Sequence, residues 1–126
     1  MRLLFAFVCF LSFCLPAMAQ KSGAKKQKSW TGIASYYHNK FNGRKTASGA
    51  IFSNQKLTAA NNFLKLGTRV RVTNLKTGKE VVVVINDRLH ARNKRLIDLS
   101  QAAAKELGFF GKGLCKVRIE VVETSD

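Results

Sequence analysis

Val81–Ile85 is an unbroken run of five β-branched residues, and it restricts the fold more than any other feature. Branching at Cβ stiffens χ1 and favours the pleated strand over the helix. With no polar residue in the run, both faces of that strand are expected to be covered. Just upstream, Arg69-Val70-Arg71-Val72 alternates basic and apolar residues, the period of a half-buried strand. Asn74-Leu75-Lys76-Thr77-Gly78 supplies turn chemistry between the two, so they are predicted to form a hairpin. Further short strands are expected at Thr31–Tyr37, Leu57–Asn61, Arg95–Leu99 and Val117–Val122. Ser100–Leu107 is the one predicted helix: Asp98 or Ser100 can cap it, three Ala favour it, and Gly108 can end it. A mainly β, six-stranded closed barrel with one short helix follows.

With 126 residues, the chain suits one domain with a modest core. That excludes a multidomain enzyme or a two-halved dinucleotide fold. Its start reads as an address. Met1-Arg2 is followed by an apolar run from Leu3 to Leu15, broken only by Ser12, then Pro16 and Ala17-Met18-Ala19. The run is shorter than the ~20 residues needed to cross a bilayer, and the layout is that of a signal peptide, residues 1–19, cleaved after Ala19. The expected destination is therefore the periplasm or the medium, with no stable membrane span after cleavage. Phe13 before Cys14 fits lipoprotein processing poorly. Residues 20–29 contain four Lys and no large apolar side chain, which suggests a flexible tether; residues 30–126 form the domain. Cleavage also removes Cys9 and Cys14, so the domain folds without an internal disulfide, and Cys115 reads as a core residue.

The formal net charge is +15, which points to an anionic polymer or surface as partner. Charge alone leaves nucleic acid, acidic lipid and anionic glycan open. Trp30, Tyr36, Tyr37 and Phe41 cluster in sequence with Arg44 and Lys45, a mixture that suits stacking on bases or on sugar faces. Export favours cell-wall glycan over nucleic acid. No metal-ligand spacing is present, no metal or cofactor is expected, and no nucleophile elbow appears. Of the acidic residues, Asp87 ends the Val-rich run in Val84-Ile85-Asn86-Asp87-Arg88, where a rigid strand can present a site; a loop carboxylate paired with Arg88 or capping backbone N–H groups is the bland alternative. Asp98 is read as a helix cap, and His90 as a loop histidine, with a proton carrier as the functional alternative.

The ordered motifs resemble one family. They are Gly32-Ile33-Ala34-Ser35-Tyr36-Tyr37, Phe41 to Gly49, Leu57-Thr58-Ala59-Ala60, Leu66 to Asn74, Val83 to Arg88 and Ile97-Asp98-Leu99-Ser100. Together they are similar to the RlpA-like double-psi β-barrels, also called rare lipoprotein A. The resemblance implies a six-stranded double-psi barrel and endolytic transglycosylation of peptidoglycan glycan strands, cut between MurNAc and GlcNAc with a 1,6-anhydro product. It makes Asp87 the catalytic residue. Tyr36, Tyr37, Arg44, Thr46, Asn61, Asn86, Arg88 and His90 are the expected substrate-binding set.

The sequence also departs from that pattern. Acidic residues expected after the Thr-Ala-Ser-Gly motif are replaced by Ala50 and Ser53, a histidine by Asn61, and a Gly-Pro by Leu89-His90. Two-carboxylate hydrolysis is therefore disfavoured, whereas transglycosylation needs one acid that donates a proton and takes one back. Arg88, next to Asp87, is expected to favour the charged carboxylate. The alternative is a non-catalytic peptidoglycan-binding barrel that has lost the acid and His positions.

Overall fold

The computed structural model describes residues 28–124; the expected signal segment and most of the tether lie outside them. Six strands form a closed ring in the order β1-β5-β2-β4-β3-β6. They are β1 (Ser29–Tyr36), β2 (Thr58–Ala60), β3 (Arg69–Asn74), β4 (Glu80–Asp87), β5 (Ile97–Leu99) and β6 (Cys115–Glu123), with helix α1 (Gln101–Leu107) between the last two. The pairs β1/β5 and β2/β4 are parallel, and the remaining four are antiparallel. The result is the mainly β, six-stranded double-psi barrel with one helix. β1 starts at Ser29, inside the expected tether, because Ser29 and Trp30 pair with Glu120 and Ile119 of β6.

The predicted hairpin is β3/β4, in register from Arg69↔Val84 to Thr73↔Glu80. Its turn closes through Asn74 N–H to the Lys79 carbonyl and Gly78 N–H to the Asn74 carbonyl, with Gly78 at φ 83°, a conformation that glycine adopts without steric cost. The Val-rich strand differs from expectation on one point. Val81, Val83 and Ile85 are buried, while Val82 and Val84 are only half-buried. One face fills the barrel, and the other is covered incompletely. The interior is small and aliphatic: Val70, Val72, Val83, Ile85, Ile97, Leu99, Val117 and Ile119 are fully enclosed. α1 seals it with Ala103, Ala104 and Leu107. Its N-cap is Ser100, whose hydroxyl accepts from Ala103 N–H, and Gly108 ends it at φ 82°. Asp98 is therefore not the cap; it lies in β5. Cys115 is half-buried at the start of β6, packed against the core, and burial pushes its thiol pKa up.

Gly32 marks where β1 approaches the segment before β5. A Cβ there would sit 2.8 Å from Leu96 Cβ, closer than carbon atoms tolerate. Gly32→Ala should therefore lower stability by about 1–3 kcal/mol in denaturant melts. Since the clash is Cβ on Cβ, trimming Leu96 to alanine should not restore it.

Candidate active site

The end of β4 carries Asn86 and Asp87 out of the barrel wall. Asp87 is half-buried, and its carboxylate accepts three hydrogen bonds. Tyr37 Oη donates to Oδ2 at 2.6 Å; the backbone N–H groups of Ala47 and Arg88 donate to Oδ1, each at 2.9 Å. The Ala47 donor comes from a tight turn between Lys45 and Ile51, which form a bridge. Ser48 N–H ties that turn to the Asn86 carbonyl at 3.1 Å. Two segments far apart in sequence thus fix the carboxylate in one rotamer.

The Arg88 side chain does not oppose it. Its Nη1 donates to the carbonyls of Asn61 and Leu64, both at 2.6 Å, and so clamps the loop after β2. Of the two alternatives for Asp87, the pairing with the Arg88 side chain is not formed, whereas backbone N–H groups are bonded, those of Ala47 and Arg88. An arginine clasp exists instead at Asp98: Arg95 Nε meets Oδ1 at 2.9 Å and Nη2 meets Oδ2 at 3.3 Å. The hydrogen bond to Asp98 raises the Arg95 pKa further.

Asp87 and Asp98 line one cleft of about 580 Å³, with Tyr36, Tyr37, Arg88 and His90 among its walls, a size suited to a small ligand or a short stretch of polymer. A second, more open hollow of about 620 Å³ shares His90, Asn93 and Arg95 with it and adds Ile33, Arg92 and Lys94. The two form one trough past Asp87. His90 Nδ1 accepts from Arg92 N–H at 3.0 Å, which leaves Nε2 as the ring nitrogen available to a ligand.

The aromatic cluster is real but rearranged. Tyr37 stacks on Phe52 at 4.2 Å and meets Phe41 edge-on at 5.6 Å, and Arg44 lies over Phe41 at 5.0 Å. Tyr36 leans on Phe109 and Phe110. Trp30 belongs elsewhere, against Phe63 at 5.0 Å.

Four residues of the expected binding set fall outside the cleft lining. Thr46 is buried, its hydroxyl spent on the Ala50 carbonyl and Ser48. Arg44 sits on the Phe41 ring beyond the walls. Asn86 keeps its side-chain oxygen buried without a partner. Asn61 is fully buried: its Oδ1 accepts from Phe63 and Leu64 N–H, and its Nδ2 donates to the Leu96 carbonyl. Sequence reasoning missed the placement of Asp98 in the cleft. The signal was present: Ile97 and Leu99 are apolar, and strand alternation puts Asp98 on the face opposite to theirs.

Burial, the hydrogen bond to Asp87 and the charges of Asp87 and Asp98 push the Tyr37 phenol well above the ordinary tyrosine range. It stays a donor to Asp87 at any ordinary pH. The unfolded chain loses this proton above about pH 10, while the folded chain keeps it. The native state then binds more protons, so stability falls as pH rises. Above pH ~10 the native chain should lose stability faster than Tyr37→Phe, by at most about 1.4 kcal/mol per pH unit, as read by melts of both proteins side by side.

The lytic transglycolase family model matches residues 29–119. Over 94 residues the chain is 50% identical to the endolytic peptidoglycan transglycosylase RlpA of Haemophilus influenzae, covering 75% of this chain and 33% of that protein. Over 92 residues it is 52% identical to the RlpA of Pasteurella multocida, covering 73% and 31%. The chain thus spans about a third of the length of these curated relatives. Among solved structures, the Streptomyces papain inhibitor aligns with TM-score 0.63 at 21% identity, covering 76% of this chain and 96% of that one. A Clavibacter michiganensis expansin in complex with cellohexaose aligns with TM-score 0.59 at 21% identity, covering 79% and 52%. At such identities these two speak for the barrel alone. The barrel topology, the ordered motifs from Gly32 to Ser100 and the match across nearly all of the described residues place this chain in the lytic transglycolase family, among the RlpA-like double-psi β-barrels.

Proposed function

We propose that this domain is an exported endolytic transglycosylase that cuts peptidoglycan glycan strands, with Asp87 as its acid and base. The observation that carries the reading is the carboxylate itself. It stands at a cleft, is held by a phenol and two backbone N–H groups, and among the described residues has no cationic side chain bonded to it.

In its protonated form Asp87 donates to the oxygen between MurNAc and GlcNAc, and that C–O bond breaks. The resulting carboxylate then takes the proton of the MurNAc 6-hydroxyl, whose oxygen closes onto the anomeric carbon to give the 1,6-anhydro ring. Asp87 ends as it began. No water is activated, and the intramolecular nucleophile supplies much of the rate by proximity. Tyr37 serves as a fixed donor that orients Oδ2, and the rings of Tyr36 and Phe41 in the cleft wall supply apolar surface for a sugar ring to pack against.

The second carboxylate does not revive hydrolysis. Both Asp98 oxygens face Arg95, which makes Asp98 a poor base for water. Ala50 and Ser53 bring no carboxylate, and Asn61 has no free group to offer. The support for the substrate is the pair of RlpA relatives named for peptidoglycan; for export it is the leader-like segment at the start of the sequence.

Digesting purified glycan strands with the full mature chain and analysing the products by mass spectrometry tests the reading. Internal fragments ending in 1,6-anhydro-MurNAc are expected. Retention of the chain on the glycan with no such fragments would leave a binding barrel in its place.

A further inference from the structure

We propose a second binding face: the lysine-ringed cleft between the β3–β4 turn and the α1–β6 loop docks the protein on an anionic phospholipid bilayer. The cleft has a volume of about 370 Å³ and is lined by Lys76, Lys112, Lys116, Phe109 and Leu114, among others. It shares no residue with the trough at Asp87. A fourth lysine lies close by, outside the wall: Lys79 Nζ is 3.3 Å from where a Cβ of Gly108 would sit, and Gly108 is part of the wall.

Among the described residues, no aspartate or glutamate lines this cleft. The acidic residues on the neighbouring elements are Glu80 and Asp87 on β4, Glu106 on α1, and Glu120 and Glu123 on β6; Glu80 pairs with Arg71 at 3.6 Å, Glu120 with Arg118 at 3.8 Å and Glu123 with Arg69 at 3.4 Å, and Asp87 is bonded in the other cleft. Three lysines bordering one cleft with no carboxylate in its wall give it a positive potential that attracts an anion.

The apolar flanks identify the anion as one carried by a membrane. Leu114 is 59% exposed and Leu75 41% exposed. Leu75 sits beside the cleft, its N–H bonded to the Lys116 carbonyl at 3.1 Å. A soluble phosphate or a sugar acid gives these leucines nothing to bury against. A bilayer interface offers phosphate to the lysines and acyl boundary to the leucines at once. Each lysine near such a surface strengthens binding appreciably.

Co-sedimentation of the full mature chain with vesicles tests this. Equimolar phosphatidylglycerol and phosphatidylcholine should capture the chain, and phosphatidylcholine alone should not. The double variant Lys112→Gln/Lys116→Gln should bind the anionic vesicles roughly 30-fold more weakly, and Leu114→Ser about tenfold more weakly. Melting curves confirm that both variants remain folded. Capture that survives in the double variant, as it would if the basic segment 20–29 carried it, overturns the proposal. So does a Leu114→Ser variant that binds like the native chain while inorganic phosphate displaces both, since that result describes a site for soluble anions. Glycan cleavage is read separately and stands or falls independently of these outcomes.

Discussion

Asp87→Asn is expected to abolish formation of 1,6-anhydro ends, with a loss on the order of 10³-fold or more. General acid–base catalysis contributes about 10²–10⁴, and here one side chain performs both proton transfers, so the loss belongs at the upper end. The substitution is nearly isosteric. The amide oxygen can still accept from Ala47 and Arg88 N–H, as Oδ1 does now. The amide NH₂ can donate to Tyr37, whose hydroxyl is able to turn and accept. The fold should therefore survive, and the melting temperature should stay within a few degrees of native. Single-turnover cleavage of defined glycan strands, with affinity measured in parallel, separates the two effects. Unchanged affinity with lost cleavage is the expected pattern. A variant that still cleaves at a tenth of the native rate would remove Asp87 from the chemistry.

The second large effect is on stability. Asn61→Ala deletes a fully buried amide and strands the Phe63 and Leu64 N–H groups and the Leu96 carbonyl, which it now satisfies. Leaving buried groups unpaired costs about 1–3 kcal/mol each in the worst case. Backbone relaxation and water at the looser end of the loop reduce the sum, so the expected loss is about 2–4 kcal/mol. For a domain of this size that lowers the melting temperature by about 10–20 °C. Glycan affinity, measured below that transition, should match the native chain. A loss under about 1 kcal/mol, or a selective loss of affinity, would contradict the structural role. The position is instructive because the family resemblance implies a histidine there. In this chain it works as a bracket between β2 and the segment leading into β5.

Much of the barrel is legible in residue patterns because those patterns are local. The Arg69–Val72 alternation, the Asn74–Gly78 turn and the Ser100-to-Gly108 helix each carry their own signal within a few residues. The parallel pairings are not local: nothing in Thr58-Ala59-Ala60 announces that it lies beside Val84 and Ile85. Asp87 was readable from its position at the end of a stiff apolar strand. Its environment was not, since Tyr37 lies 50 positions away and Ala47 lies 40. For the same reason Arg88, adjacent in sequence, looked like the natural partner, although a strand sends successive side chains to opposite faces. The clasp at Asp98 went unread because its flanking helix offered a simpler job for that carboxylate. Aromatic spacing grouped Trp30 with the tyrosines, whereas its position on β1 sets it beside Phe63.

The pairing of β1 with β6, from Ser29↔Glu120 to Ala34↔Cys115, joins the first strand of the domain to the last. A polypeptide emerging amino-end first, from a ribosome or through a secretion pore, cannot complete this ring until its final strand is free. Until then β1 and β3 each keep the edge that β6 will pair with. Premature termination before β6 would expose the ladders of β1 and β3 together, giving two sticky margins that invite other chains to join.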